Sequence, residues 1–401
     1  MMPLRQFLKS EPISSIGKQL LRSYSNEKNI GIRVVVNQIV SNPLEAIEKL
    51  ALETMHAPDL SQLPEDAVIM KVSSSSVHWV DLLMMMGQYQ QAPPVPYTPG
   101  MEYSGVVVET GKDVKHINPG DRVFVDIFNA GPRSYGKFQT WGGCASFSAA
   151  PESAVRLVPK EFDMHQAAIY CGGYETAHHA LVHCGKLKPG ETVLIHGATG
   201  AGGLAATQIC TALGANVIVT GGSDEKLDIV KNQCYGNGKI LGSYNYNKND
   251  VSLKELVKSL TVKGGGVDVI FDTVGGSKLI QESLRCIKFQ GRYCVVGWTS
   301  TPFAGGGRAS GADQSSANVV PTNLIMMKGA QVIGCPVAIH TRLDPTIRPP
   351  RVAAIDALVK EGLIRPYVSH IFPLSKIKDA LNAKWGRQVT GCCVVDCEVI
   401  K

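Results

Sequence analysis

Beyond the first thirty or so residues, short apolar runs alternate with turn residues. Ile32-Arg33-Val34-Val35-Val36, Ala67 to Val72, Tyr103 to Glu109 and Asp121-Arg122-Val123-Phe124-Val125 carry the β-branched and aromatic content of strands, and Asn118-Pro119-Gly120-Asp121 separates two of them as a turn. This pattern predicts a mainly β unit reaching to about residue 160. From about residue 164 the rhythm changes. Val193 to His196, Asn216 to Thr220, Val267 to Phe271, Tyr293 to Val296 and Gln331 to Ile333 read as short apolar strands, while Leu253, Leu256, Val257 and Leu260 mark one face of a helix. Strand, helix, strand in series predicts a parallel sheet covered by helices, and the fold class is α/β. Two biased insertions interrupt the order: Asn129 to Gly143 is rich in glycine and aromatics, and Pro302 to Asn318 holds Gly305-Gly306-Gly307 and several serines, the pattern of an exposed mobile loop.

The N-terminus differs from all that follows. Ile13, Ile16, Leu20 and Leu21 fall on one side of a helix, Lys18 and Arg22 on the other, and serines recur at 10, 14, 15, 23 and 25. Residues 1–30 therefore fit a mitochondrial presequence, and Arg22-Ser23-Tyr24-Ser25 resembles the arginine-containing site that matrix processing leaves before a serine. A tail on a cytoplasmic protein is the alternative, to which Pro3 and Pro12 lend weight. Of the formal net charge of +6, this end contributes +3 from Arg5, Lys9, Lys18 and Arg22 against Glu11 within the first 25 residues. The remainder is nearly neutral, which argues against nucleic acid as a main ligand. Thr192 to Ser223 is uncharged and long enough to span a bilayer, but its seven glycines with His196, Gln208 and Asn216 do not make a membrane helix. Eleven cysteines in a chain of 401 residues, only Cys392, Cys393 and Cys397 of them close in sequence, point to an intracellular, reduced protein.

The strongest chemical signal is Val193-Leu194-Ile195-His196-Gly197-Ala198-Thr199-Gly200-Ala201-Gly202-Gly203-Leu204. An apolar strand feeds a glycine-rich turn that opens a helix, and a second strand follows, the setting a dinucleotide fingerprint requires. In the A-x-G-x-x-G spacing, Gly200 lets the backbone approach a pyrophosphate and Gly203 lets the helix pack on the strand. Ala198, Thr199, Ala201 and Gly202 complete the cradle at the helix N-terminus. The second strand ends in Thr220-Gly221-Gly222-Ser223-Asp224-Glu225-Lys226. With Gly222 at that end, Ser223 and Lys226 offer a hydroxyl and a charge to a 2′-phosphate, so the cofactor expected is NADPH. Asp224 is the reservation, since a carboxylate there serves NAD; its other role is in an acidic first turn behind Ser223 as N-cap.

Taken in order, Asp81 to Tyr89, Pro96-Tyr97-Thr98-Pro99-Gly100-Met101-Glu102, Gly120-Asp121-Arg122-Val123, Thr176 to Leu181, the turn above, Gly222 to Lys226, Phe271-Asp272-Thr273-Val274-Gly275-Gly276 and Gly291-Arg292-Tyr293 resemble the medium-chain dehydrogenase/reductase superfamily, in its zinc-free quinone oxidoreductase (zeta-crystallin-like) branch. The resemblance covers residue 31 to the end. It implies a GroES-like β domain over 31–163, a Rossmann NADPH-binding domain with a doubly wound parallel sheet over 164–334, a return to the catalytic domain over 335–401, and a homodimer. Thr176 and Val274 are implied to face the nicotinamide half, Gly297 to join the cofactor set, and Tyr246 and Arg387 to lie near the phosphates, with Tyr244 two residues from Tyr246.

The zinc alcohol dehydrogenases of this superfamily bind their catalytic metal at positions that correspond here to His78, Met101 and Gly172, and a methionine and a glycine do not supply that site. His179 and His183, spaced i, i+4, are expected as interface or packing residues, and no metal is expected. Hydride addition to a quinone or to the β-carbon of an α,β-unsaturated carbonyl then becomes the expected reaction, because its delocalised product anion needs only hydrogen-bond donors. Tyr89 is either such a donor or a rim aromatic; His78, where the branch has asparagine, is either a donor or a residue packed beside Trp79. Two alternatives stand: a mitochondrial trans-2-enoyl thioester reductase, and a non-enzymatic NADPH-binding or RNA- or vesicle-associated protein.

Overall fold

The computed structural model describes residues 29–89, 91–248, 251–299 and 318–398. The presequence expectation and nearly all of the insertion 302–318 lie outside them. The first strands are β1 (Ile30–Val35), β2 (Ala51–His56), β3 (Ala67–Ser76), β4 (Tyr103–Thr110), β5 (Arg122–Val125), β6 (Phe147–Pro151) and β7 (Val155–Leu157). They are followed by β8 (Thr192–His196), β9 (Asn216–Gly221), β10 (Ile240–Asn245), β11 (Val267–Asp272), β12 (Ile287–Val295) and β13 (Gln331–Gly334). After them come β14 (Val368–Pro373) and β15 (Cys392–Asp396).

Two sheets carry the architecture. The first runs β14-β15-β3-β4-β5-β7, with β6 also paired to β3, so the last two strands of the described chain complete a sheet begun by the early ones. Val394 lies opposite Ser76 across that antiparallel junction. β3 is the spine: nine of its ten residues are buried, because it is covered on both faces. The second sheet is parallel, in the order β10-β9-β8-β11-β12-β13. The chain winds outward from β8 through β9 to β10, then returns beside β8 and winds the other way, which is the doubly wound Rossmann order. β8, β9 and β11 are buried along nearly their whole length, as expected of strands with helices on both faces. The fold is thus a GroES-like β domain joined to a Rossmann domain.

Three departures from the sequence pattern have local causes. β10 escapes the apolar reading because it is an edge strand of mostly half-buried residues with Gly242 inside it. β12 begins at Ile287, six residues before the expected start, since Lys288, Phe289 and Gln290 are exposed and Gln290 has φ +61°. The helix expected to carry His179 and His183 is a π-helical turn, His179–Cys184, which continues the α-helix Cys171–His178. Among the described residues no helix is long and apolar enough to cross a membrane.

Candidate active site

β8 ends at the buried His196, whose Nδ1 lies 3.1 Å from Thr220 Oγ1 and whose Nε2 lies 2.7 Å from Ser283 Oγ. Burial lowers its pKa, so a neutral ring bridges the two hydroxyls. The chain then turns at Gly197, with φ +69°, where a Cβ would come within 2.7 Å of Thr273 Oγ1. Gly200 stands at the N-cap of the helix Ala201–Ala212. The first intrahelical bond is Leu204 N–H to Gly200 O, which leaves the N–H groups of Ala201, Gly202 and Gly203 ahead of the ladder. The glycines divide the work. A Cβ on Gly203 would meet Gly197 O at 2.1 Å, so only glycine lets this helix lie on the strand end. On Gly200 and Gly202 it would find no neighbour nearer than 3.5 Å and 3.7 Å, which leaves the outer side of the turn open to a ligand. Ala198 is fully buried and donates its N–H to Thr220 O, and the carbonyl of Thr199 accepts from Gly391 N–H at 2.8 Å.

The end of β9 is built differently from the sequence expectation. Ser223 Oγ accepts from Lys226 N–H as a helix cap, and Lys226 Nζ donates to the carbonyls of Arg387, Gln388 and Val389 at 2.6, 2.8 and 3.3 Å. The Lys226 charge therefore clamps the loop that carries the exposed Arg387. Asp224 is engaged by Asn245 Nδ2 at 2.7 Å and Lys248 Nζ at 3.1 Å, and these bonds hold its carboxyl below the usual carboxylate range. A Cβ on Gly222 would sit 2.8 Å from the Tyr246 hydroxyl, so Tyr246 covers this corner, whereas Tyr244 packs against the second hydrophobic cluster under the sheet.

On the other side of β8, Asp272 closes β11. It accepts from Val274 N–H and Gly275 N–H at 2.7 and 3.0 Å and from the Tyr293 hydroxyl at 2.5 Å, while its carbonyl accepts from Gly297 N–H at 3.1 Å. Val274 and Gly297 are thereby brought together at adjacent strand ends. Thr176 lies on the helix Cys171–His178, where a Cβ on Gly173, one turn earlier, would stand 3.4 Å from Ala201 O. The phosphate turn, Val274 and Gly297 follow the carboxyl ends of the parallel strands β8, β11 and β12, around the point where the winding reverses.

Across the cleft, His78 precedes the helix Trp79–Met85, and its N–H donates to Asp81 at 2.9 Å. Its Nε2 is 2.7 Å from Glu102 Oε2. Glu102 is fully buried and also accepts from Cys171 N–H and, at 3.1 Å, from Gly172 N–H. A Cβ on Gly172 would stand 3.1 Å from Glu102 Oε2 and 3.5 Å from His78 Cε1, so positions 78 and 172 face each other across this carboxylate. Glu102 is a site residue that the sequence reading passed over, although it adjoins Met101. Trp79 stacks on Trp385 with centroids 5.2 Å apart, and it is Glu102 that fixes His78. Tyr89 lies beyond the far end of the same helix, roughly 10 Å of helical rise away. Its hydroxyl accepts from Arg133, whose guanidinium also lies 5.5 Å from the tyrosine ring centroid.

Asp126, Cys171 and Glu175 offer three potential donor atoms within 4.8 Å of one another. Both carboxylates are already spent. Arg348 bonds Asp126 and Glu175, and Arg351 bonds Glu175 at 2.7 and 2.9 Å. This buried network joins the helix Arg348–Lys360 to the helix Cys171–His178 and is structural.

Residues 64–160 match the family model described as alcohol dehydrogenase GroES-like domain, and residues 202–344 match the one described as zinc-binding dehydrogenase. The chain is 34% identical over 322 residues to quinone oxidoreductase-like protein 2 of Mus musculus, covering 79% of this chain and 80% of that one. A crystal structure of a probable oxidoreductase from Mycobacterium abscessus superposes with a TM-score of 0.72 at 26% identity, covering 92% of this chain and 99% of the other. A mycobacterial structure complexed with NADPH gives 0.71 at 24% identity over 91% of this chain and 99% of that one, a likeness of fold.

Proposed function

The chain belongs to the medium-chain dehydrogenase/reductase superfamily, in its quinone oxidoreductase branch, and from that premise we propose that it reduces a quinone or an α,β-unsaturated carbonyl with NADPH and without a catalytic metal. One observation carries the reading: His78 and Gly172, at two of the positions where the zinc dehydrogenases have ligands, face each other across the buried Glu102, which already holds the His78 imidazole. Met101, at the third ligand position, is buried and offers only a thioether.

The phosphate turn fits a dinucleotide, because a Cβ would fill Gly203 but finds open space at Gly200 and Gly202. When bound, NADPH supplies the hydride. The N–H groups of Ala201, Gly202 and Gly203 hold the pyrophosphate at the helix N-terminus. Tyr246, Ser223 and Arg387 surround the 2′-phosphate, and Lys226 acts through the three carbonyls it holds, positioning Arg387. Asp224, committed to Asn245 and Lys248, leaves the ribose without a dedicated acceptor, which favours NADPH over NADH. Thr176, Val274 and Gly297 line the nicotinamide half.

The residues opposite handle the product anion. Glu102 fixes the His78 ring through Nε2, and the ring would serve the product anion from that held position. The Tyr89 oxygen accepts from Arg133, so the phenol proton remains free to be donated to a hydroquinonate or enolate oxygen. Calorimetric titration with NADPH and NADH tests the cofactor half: binding at least tenfold tighter for NADPH is expected, and no heat with either overturns the reading. NADPH oxidation across quinones, enones and crotonyl thioesters tests the other half. Turnover restricted to the thioesters assigns the alternative enoyl reductase chemistry.

A further inference from the structure

A second cluster of metal-ligating side chains lies away from the cleft. The π-helical turn His179–Cys184 places residues five apart as neighbours along the helix axis, and it brings Cys184 Sγ to 3.5 Å from His179 Nε2. Gly185 makes the turn possible: its N–H donates to Ala180 O at 2.8 Å, and a Cβ there would sit 2.9 Å from two carbonyl oxygens and 3.1 Å from Cys294 Sγ. His340, on the helix Val337–Leu343, enters from the opposite side. Its ring centroid is 5.0 Å from those of both His179 and His183, which are themselves 5.0 Å apart and stacked. The three imidazoles bring donor nitrogens within 4.8 Å of one another.

Two of the separations, both from His179, are those of edges of a coordination tetrahedron. A tetrahedral zinc ion, with bonds of about 2.05 Å to nitrogen and about 2.3 Å to sulfur, sets N···N edges of about 3.3 Å and N···S edges of about 3.6 Å. Here His179 Nε2 stands 3.3 Å from His340 Nδ1 and 3.5 Å from Cys184 Sγ. Arg351 Nη1 lies 3.4 Å from Nδ1, the far nitrogen of His179. That distance is long for a hydrogen bond, and the guanidinium's firm partners are Glu175 at 2.7 Å and Thr341 at 2.8 Å, so Nε2 is left for an ion.

We propose that His179, His183, Cys184 and His340 form a structural binding site for a tetrahedral, thiolate-accepting divalent ion of the zinc type. The ion would staple the segment re-entering the β domain to the helix that carries Thr176, beside the Arg351–Glu175 pair that already joins them. This departs from the expectation that His179 and His183 only pack. A structural ion here is compatible with a metal-free cleft, because none of its four donors contacts His78, Glu102 or Gly172.

The test uses untagged full-length protein stripped with chelator and titrated with Co²⁺ as a spectroscopic probe and with Zn²⁺. One Co²⁺ per chain is expected, with the intense visible bands of tetrahedral coordination and a thiolate-to-cobalt charge-transfer band that Cys184→Ser removes. His340→Ala is expected to weaken Zn²⁺ binding by roughly 100-fold and to abolish the zinc-dependent rise in melting temperature, with NADPH affinity kept. His183→Gln, at a half-buried position, repeats the comparison should His340→Ala fail to fold. Weak octahedral cobalt spectra, or binding unchanged in Cys184→Ser and in whichever histidine variant folds, overturns the proposal. NADPH affinity is read on the same samples, so a failed cofactor reading is distinguished from a failed metal site.

Discussion

The cleft and the imidazole cluster are built from the same kinds of side chain to opposite effect. At the cleft, the carboxylate of Glu102 stands between His78 and Gly172, bonded to the imidazole and to two backbone N–H groups. At the cluster, three imidazoles and a thiol crowd together, with a distant guanidinium at the far side of one ring and Cys335 beside the thiol. A carboxylate already supplied with donors holds a ring in place for hydrogen bonding. Soft donors facing one another invite a cation. The comparison teaches that the metal-binding potential of a histidine is set by what satisfies its neighbours, more than by its spacing in sequence.

The largest effect is expected at Glu102. Glu102→Gln keeps the volume but puts an amide against three donors, and should lower kcat about 100-fold and stability by about 3 kcal/mol. Steady-state kinetics and denaturant melts check this, and unchanged kinetics would remove the cleft from the comparison. Next is a thiol contrast. Hydrogen bonding from Cys335 above all, with His179 adding to it, holds the Cys184 thiol well below the ordinary range, whereas burial pushes Cys171, beside the cleft, far above it. A lowered thiol stays ionised as pH falls, so metal-free Cys184 should alkylate at nearly the same rate at pH 6 as at pH 8. An ordinary thiol loses roughly 75-fold over that interval. Peptide mapping should find Cys184 modified, Cys171 untouched, and Cys184 protected when Zn²⁺ is present. The smallest effect is expected for His78→Asn, which retains a side-chain donor and should change kcat by less than about fivefold; His78→Phe, which retains none, should cost more.

The legible parts of the molecule are those whose signals are local. β8, β9 and β11 could be read because double-sided burial demands unbroken apolar runs, and the phosphate turn because its glycine spacing is itself local, as where Gly203 answers to Gly197. β10 was hidden by half-exposure, and β14 and β15 because they pair with each other and with β3, far away in the chain. The same distance hid the partners of individual residues. Lys226 reads as a phosphate ligand until the carbonyls of residues 387–389 are beside it. Glu102 is anonymous beside Met101 until Cys171 and Gly172 donate to it. The neighbours of His179 and His183 were hidden as well, because His340 arrives from 161 residues away and Cys184 meets His179 only through the π-turn.

The cleft is proposed to work without a metal and the imidazole cluster to hold one. The most direct test is the rate of NADPH oxidation with a quinone acceptor, measured on one sample before chelation, after stripping, and after zinc is restored, at a temperature where the stripped protein stays folded. The predicted result is the same rate in all three states, with only the melting temperature following the zinc. A rate that falls to background on stripping and returns with zinc would contradict it.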